Sequence, residues 1–414
     1  MRTENPFRSI PVVRPGGLAL ACCLLALLAG CSGQTVKSGQ EGGAQSPSEP
    51  RSKPSPGRTA TTPRPVREEH HGPDAEHAFA LANQLLPRDL RDRRGWAQDI
   101  ATGMTALGIP AESHKVCAIA AVIEQESGWQ VDPVVPNLPQ IARSEMDKKL
   151  GKYMIPSAVL DVALTMKSPS GQTYAQRIDK LRTERDLSQL YEEMIAEVPR
   201  GPELFGHMNP VRTGGPMQVS VSFAEGVLKE RPYPWRNPGS ARDEVFTRRG
   251  GVYFGTAMLL DYQVSYDRML YRFADYNAGR YASRNAAFQR LVAALTKTDL
   301  APDGDLLRYA GGEASGTSQT ERALWKIADL GLSRSAIRRD LLLEKKFDFE
   351  RSELYRRVRA LAAQHGLQTP DAALPAIALK SPKITRNLTT AWFAERVEGR
   401  YRRCMARGAT AGGW

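Results

Sequence analysis

Residues 117–129 read CAIAAVIEQESGW, from Cys117 to Trp129. Ile119, Val122, Ile123 and Glu126 stand at i, i+3, i+4 and i+7, so they share one face of a helix. Ala118, Ala120 and Ala121 keep the flanks small and apolar, which predicts a helix buried nearly all round. That face ends in a carboxylate. Ser127 and Gly128 follow at once and are expected to end the helix, leaving Glu126 at its mouth. A carboxyl on such a stripe loses hydration when ionised, so it is expected to hold its proton as a general acid must. Structural hydrogen-bond networks also bury glutamates, and this stretch alone does not separate the two readings.

Outward from this helix, nearly every periodic segment from Asp74 onward is helical and no alternating run reads as a strand, so the expected fold class is mainly α. Helices are predicted over Ala75–Leu86, Leu90–Leu107, Pro156–Thr165, Tyr174–Val198, Ser222–Lys229, Ala241–Tyr266, Met269–Tyr276 and Ser283–Leu295. Further helical segments follow over Arg322–Leu330, Ser335–Leu343, Ser352–His365 and Leu388–Met405. Asp132 to Pro139 and Gly206 to Gly215 read as loops, and there is no internal repeat.

The first thirty of the 414 residues have the layout of a targeting segment. Arg2, Arg8 and Arg14 make a basic start, and Leu18 to Ala29 is an apolar run too short to span a bilayer as a helix. The run closes on Leu28-Ala29-Gly30-Cys31, which resembles the lipobox of bacterial lipoproteins. The resemblance implies cleavage before Cys31, acylation of that cysteine, and a membrane anchor. Ser32, where inner-membrane retention would need an aspartate, points to the outer membrane. Gly33 to about Pro73 is rich in Gly, Ser, Pro and charge and reads as a disordered tether. The expected layout is therefore a signal at 1–30, a lipid-anchored linker at 31–73 and one helical domain at 74–414. His70 and His71 follow Glu68 and Glu69, but a solvated cluster outweighs a metal site, and no metal or cofactor is expected.

Cys117 and Cys404 remain after the signal and the lipidated cysteine, in a compartment where a disulfide is allowed; the sequence leaves their pairing open. The formal charge is +12, and about +10 without the signal. Basic residues are not interleaved with aromatics, which argues against nucleic acid; anionic envelope polymers suit an exported basic chain better.

Two later stretches give Glu126 company. Thr213-Gly214-Gly215-Pro216-Met217-Gln218-Val219-Ser220 is a glycine-rich approach to a Met-Gln pair expected to open a helix. Glycine lets backbone come close to a ligand, and Gln218 offers both a donor and an acceptor. Arg272-Phe273-Ala274-Asp275-Tyr276-Asn277-Ala278-Gly279 ends a helix with Tyr276 and Asn277 just ahead of a capping glycine. The order E-S, G-x-M-Q, Y-N-A-G resembles that of lytic transglycosylases and goose-type lysozymes. The matching residues are Glu126-Ser127, Gly215-Pro216-Met217-Gln218 and Tyr276-Asn277-Ala278-Gly279, with Gly251–Leu260 resembling the helix that precedes Y-N-A-G. The chain departs from that pattern in four places, one being Asp275 ahead of Tyr276. Gln218 stands 92 positions after Glu126, so 130–212 reads as an insertion; Pro216 replaces a leucine-like residue; and Arg280 follows Gly279 where Pro-Gly is usual. Over its whole length the chain more closely resembles a family of uncharacterised bacterial lipoproteins with a domain of unknown function, through NPVRTGGPMQVS, RFADYNAGRYASRNAAFQ and SPKITRNLTTAWFAERV.

The resemblance implies a lysozyme-like core at about 110–295 with a helical insertion and a C-terminal helical extension at about 300–405. It implies peptidoglycan strands as substrate, with Glu126 as acid and base and Tyr276 orienting it by a hydrogen bond. Ser127, Met217, Gln218 and Asn277 would bind the sugars. A hydrolase would more often need a second carboxylate, from Asp132, Asp275 or Glu124. Glu124 lies about 200° round the helix from Glu126 and is expected to be structural; Asp275 is expected to be exposed or paired with Arg272 or Arg280. The alternative from another class is a non-catalytic envelope lipoprotein that uses the same cleft to bind glycan or a partner protein not identified by the sequence. Thr389–Arg403 is expected to pack on the core, with a docking helix as the alternative.

Overall fold

A computed structural model describes residues 73–411, apart from 153, 155, 237, 311 and 380–387. The signal, Cys31, the tether, and His70 and His71 lie outside the described residues. In chain order the helices begin with α1 (Pro73–Leu85), α2 (Arg93–Ala106) and α3 (Ser113–Glu126). Next come α4 (Leu138–Lys152), α5 (Ser157–Leu164), α6 (Tyr174–Asp179), α7 (Glu184–Ala196) and α8 (Gly201–Phe205). A short hairpin, β1 (Thr213–Gly214) with β2 (Val219–Ser220), leads to α9 (Val221–Glu230), α10 (Ala241–Val245), α11 (Arg248–Leu260), α12 (Met269–Ala278) and α13 (Ala282–Thr296). The C-terminal part holds the hairpin β3 (Tyr309–Ala310) and β4 (Glu313–Ala314), then α14 (Gln319–Leu324), α15 (Arg334–Leu341) and α16 (Glu353–Gln364). A last hairpin, β5 (Ala378–Leu379) with β6 (Leu388–Thr389), opens into α17 (Thr390–Ala411). The fold is mainly α, and its strands are two-residue pairs at turns.

The described chain divides into two compact units: Asp132–Arg212, and the described part of Gln34–Val131 together with Thr213–Trp414. In the smaller unit, Leu160, Leu164, Ile178, Leu187 and Leu190 are buried, and capping boxes at Thr173 and Thr183 start α6 and α7. The second box explains why the single helix expected over Tyr174–Val198 is two: the Thr183 hydroxyl and the Asp186 carboxylate satisfy amides that a continuous helix would have bonded internally. Pro139 reads as loop in the sequence but occupies the second position of α4, where its missing N–H is not needed.

In the larger unit α3 is the central helix. Val116 through Ile123 are at most 2% exposed, with α1, α11 and α17 packed around them. Burying each large aliphatic side chain here contributes about 1.5–3 kcal/mol. Cys117 is bonded to Cys404, joining α3 to α17 across 287 residues of sequence with the Cα atoms 5.4 Å apart. Glu124, also on α3, is held by Arg403 at 2.8 Å and Arg400 at 3.5 Å. The C-terminal helix is thus packed on the core. The segment 241–266 is likewise not one helix, because Thr247 caps α11 through the Gly250 amide after α10 has ended. A second apolar cluster, built on Phe288, Leu291, Leu324, Leu341, Phe349 and Val358, unites α13 with α14–α16.

Candidate functional site

The buried face of α3 delivers Glu126 as its last residue, and there the burial stops: Glu126 is neither fully buried nor exposed. Negative charge is disfavoured at this end of a helix, where the last carbonyls point. Ser127 follows as the C-cap and donates its hydroxyl back to the Ile123 carbonyl at 3.0 Å. Expected to line a sugar-binding wall, Ser127 is buried and turned into its own helix. Gly128 and Trp129 then both take positive φ, 57° and 67°, which turns the chain sharply away. Trp129 packs edge-on against Trp96, 5.3 Å between ring centres.

The Met-Gln pair does not open a helix. Gly215, Pro216, Met217 and Gln218 form the turn of the β1–β2 hairpin, and α9 starts only at Val221, capped by Ser220. Gly215 has a φ of 72°, and a Cβ on it would strike the Val245 carbonyl, so only glycine fits. The turn lies on one face of α11, where Gly251 and Gly255 are four residues apart. A Cβ at Gly251 would meet the Pro216 ring, and one at Gly255 would meet the Met217 side chain. Proline at 216 therefore has a matching bare patch on α11. Met217 is fully buried in this packing and offers a ligand no side-chain surface. Gln218 is partly exposed with φ 51°, and its Nε2 donates to the Gly215 carbonyl at 3.2 Å.

Tyr276 on α12 joins these two regions. Its hydroxyl donates to the Met217 carbonyl at 2.6 Å. Burial, together with the charge of nearby Glu126, pushes its phenol well above the usual range, so the proton stays on at any physiological pH. The orienting role expected for Tyr276 therefore takes a different form: its proton is committed to the hairpin turn, and only its oxygen lone pairs remain for Glu126. Asn277, the next residue, is partly exposed and accepts the Thr390 hydroxyl at 2.9 Å. The sequence reading missed Thr390, because nothing in a 113-residue separation announces the contact.

Asp275 is neither exposed nor paired with arginine. It has no exposed surface and accepts from the Tyr266 hydroxyl, the Tyr262 hydroxyl at 3.2 Å, the Tyr281 amide at 3.2 Å and the Ser283 amide at 2.6 Å. Burial pushes its carboxyl up, against the hydroxyl of Tyr266 and the Ser283 amide. Arg272 and Arg280, its expected partners, instead bond the last carbonyls of α11: Arg272 to Leu259 and Arg280 to Met258 and Ala257. The third candidate, Asp132, belongs to the smaller unit, where it is hydrogen-bonded by Thr183. Among the described residues no group of His, Cys, Asp and Glu is arranged to hold a metal, and no helix is long and apolar enough to cross a membrane. Chemically, the site offers one accessible carboxyl beside a neutral phenol, with two amide side chains near the same elements.

Comparison with known proteins places the chain among proteins without an assigned reaction. The family model described as "Protein of unknown function (DUF1615)" matches residues 89–407. An "Uncharacterized protein YaiW" of Escherichia coli (strain K12) is 47% identical over 350 residues, covering 84% of this chain and 94% of that protein. No solved structure matches.

Proposed function

We infer a function for a chain that belongs to the DUF1615 family of proteins of unknown function, a membership that carries no reaction with it. We propose that it is a peptidoglycan lytic transglycosylase with a lysozyme-like core, lipid-anchored at Cys31 to the outer membrane. The observation that carries this reading is the meeting of the three motifs at Tyr276, which bonds the turn holding Gln218 and feels the charge of Glu126.

In this reaction Glu126 is the catalytic residue. Its carboxyl gives a proton to the glycosidic oxygen between N-acetylmuramic acid and N-acetylglucosamine as the C1–O bond breaks. The resulting carboxylate takes the proton of the muramic 6-hydroxyl, whose oxygen bonds to C1, and a 1,6-anhydro end forms without water. Tyr276, with only lone pairs to offer, suits the protonated glutamate that begins the cycle. A one-carboxyl mechanism also agrees with the state of the other candidates: Glu124 is paired with arginines and Asp275 is sealed.

The burial of Met217 and the inward turn of Ser127 favour a second reading, in which the site binds glycan without cleaving it. One experiment separates them: digestion of purified peptidoglycan by the detergent-solubilised protein and its Glu126→Gln variant, with products read by mass spectrometry. Anhydromuropeptides from the wild type, reduced about 10²- to 10⁴-fold in the variant, support the transglycosylase. Retention on peptidoglycan with no release supports the binding protein. Reducing-end products would overturn the one-carboxyl mechanism.

A further inference from the structure

We propose that Thr390, at the head of α17, is a positioning residue that decides which edge of the Asn277 amide faces the ligand. The inference rests on the reading of Asn277 as a sugar-binding residue and names what it reads: an acceptor oxygen, such as the carbonyl of an N-acetyl group.

The two edges of an asparagine amide are nearly the same shape and opposite in polarity, so a neighbour must choose between them. Thr390 makes the choice. It has no exposed surface, and its single hydroxyl proton goes to Asn277 Oδ1 at 2.9 Å. Its backbone amide bonds the Ile377 carbonyl at 3.0 Å, tying it to the segment that leads into the β5–β6 hairpin. One and two turns further along α17, Phe393, Ala394 and Val397 are buried in the main core, and Cys404 is bonded to α3. The hydroxyl is thus held at both ends of its helix. Asn277, by contrast, is the second-last residue of α12, ahead of Gly279 with a φ of 106°, and has no such support of its own. With the oxygen turned to Thr390, the opposite edge of the Asn277 amide carries its two N–H donors, and that is the edge the side chain presents. Gln218 is oriented in the opposite sense: one of its two N–H groups is given to the Gly215 carbonyl at 3.2 Å, which turns the nitrogen toward the turn and sets its oxygen as the acceptor edge. A donor edge from one amide and an acceptor edge from the other suit an acetamido sugar, whose amide carries one of each.

This gives the C-terminal extension a part in the site. The resemblance to lytic transglycosylases ends near residue 295, whereas Thr390 lies almost a hundred positions beyond it.

The test uses the wild-type protein with Thr390→Val, which keeps the shape and removes the hydroxyl, and Thr390→Ser, which returns it. On solubilised glycan strands, valine is expected to raise KM about threefold to tenfold with kcat little changed, and serine to restore it. Denaturant unfolding of all three proteins separates this from a loss of fold. Equal KM for wild type and valine, or a valine defect that serine does not repair, overturns the inference. If the wild type cleaves nothing, the catalytic reading fails by itself, and the same variants are compared by co-sedimentation with the strands. Binding weakened by valine and restored by serine then upholds the role of Thr390, while unchanged binding, or none by the wild type, overturns it.

Discussion

The end of α3 and the junction between α12 and α13 each hold a carboxylate, and the two are treated in opposite ways. At the junction Asp275 is saturated by two tyrosine hydroxyls and two backbone amides and sees no solvent. At the end of α3, Glu126 keeps part of its surface, and the Tyr276 phenol that feels its charge donates its proton to the Met217 carbonyl. An acidic side chain at a helix C-terminus is common to both, so that property alone does not mark a catalytic group. Access to solvent makes the difference: a carboxylate sealed from water is architecture, and one that keeps part of its surface can exchange a proton. The two substitutions that replace an acid with its amide should therefore diverge. Glu126→Gln is expected to lower activity about 10²- to 10⁴-fold and to cost no more than about 1 kcal/mol of stability. Asp275→Asn sets an NH2 group against either the Tyr281 or the Ser283 backbone N–H, neither of which can rotate away, and is expected to cost about 3 kcal/mol. Denaturant unfolding of both variants beside the digestion assay checks this; a stable Asp275→Asn protein would break the contrast.

Glu344 extends the comparison to the C-terminal helices. It has no exposed surface, accepts from the Leu306 amide at 2.5 Å, the Leu307 amide at 3.2 Å and the Tyr309 hydroxyl at 2.5 Å, and is pushed up to about 7 by burial. A carboxyl whose folded value exceeds its unfolded one binds more protons folded than unfolded in the window between them. Stability should therefore fall as pH rises from about 4.5 to 7. The expected loss between pH 5 and 7.5 is about 2 kcal/mol, and Glu344→Gln should flatten the slope. Unfolding midpoints across that range measure it, and an unchanged slope in the variant would assign the dependence to other groups.

Much of the main core was legible from local pattern. The apolar spacing of 117–126 defined α3, and the three short motifs pointed to elements that meet. Long-range pairings were not legible. Asp275 beside Arg272 and Arg280 looks like an ion pair in sequence, yet those arginines serve carbonyls of α11. Thr390 has no local signature at all. The role of glycine was half visible: Gly251 and Gly255 stand at helical spacing, but what they admit only becomes clear once Pro216 and Met217 are seen against them.

That close approach provides the smallest and most local way to sharpen the comparison, because it separates the position of the site from its chemistry. Gly251→Ala gains about 1 kcal/mol of helix propensity but drives a methyl into the Pro216 ring and to 3.0 Å from the Val245 carbonyl. A proline ring cannot swing aside as a flexible side chain can, so overpacking outweighs the gain and a net loss of about 1–2 kcal/mol is expected. The turn should also move away from Tyr276, weakening the bond to the Met217 carbonyl and lowering activity without touching Glu126. Gly399→Ala is the control: this glycine lies within α17 and nothing stands within 4 Å of the added methyl, so the same exchange should stabilise by about 0.5–1 kcal/mol. If both substitutions stabilise the protein, the turn is not held by its fit to α11, and the alignment of Gln218 with Glu126 must come from Tyr276 alone.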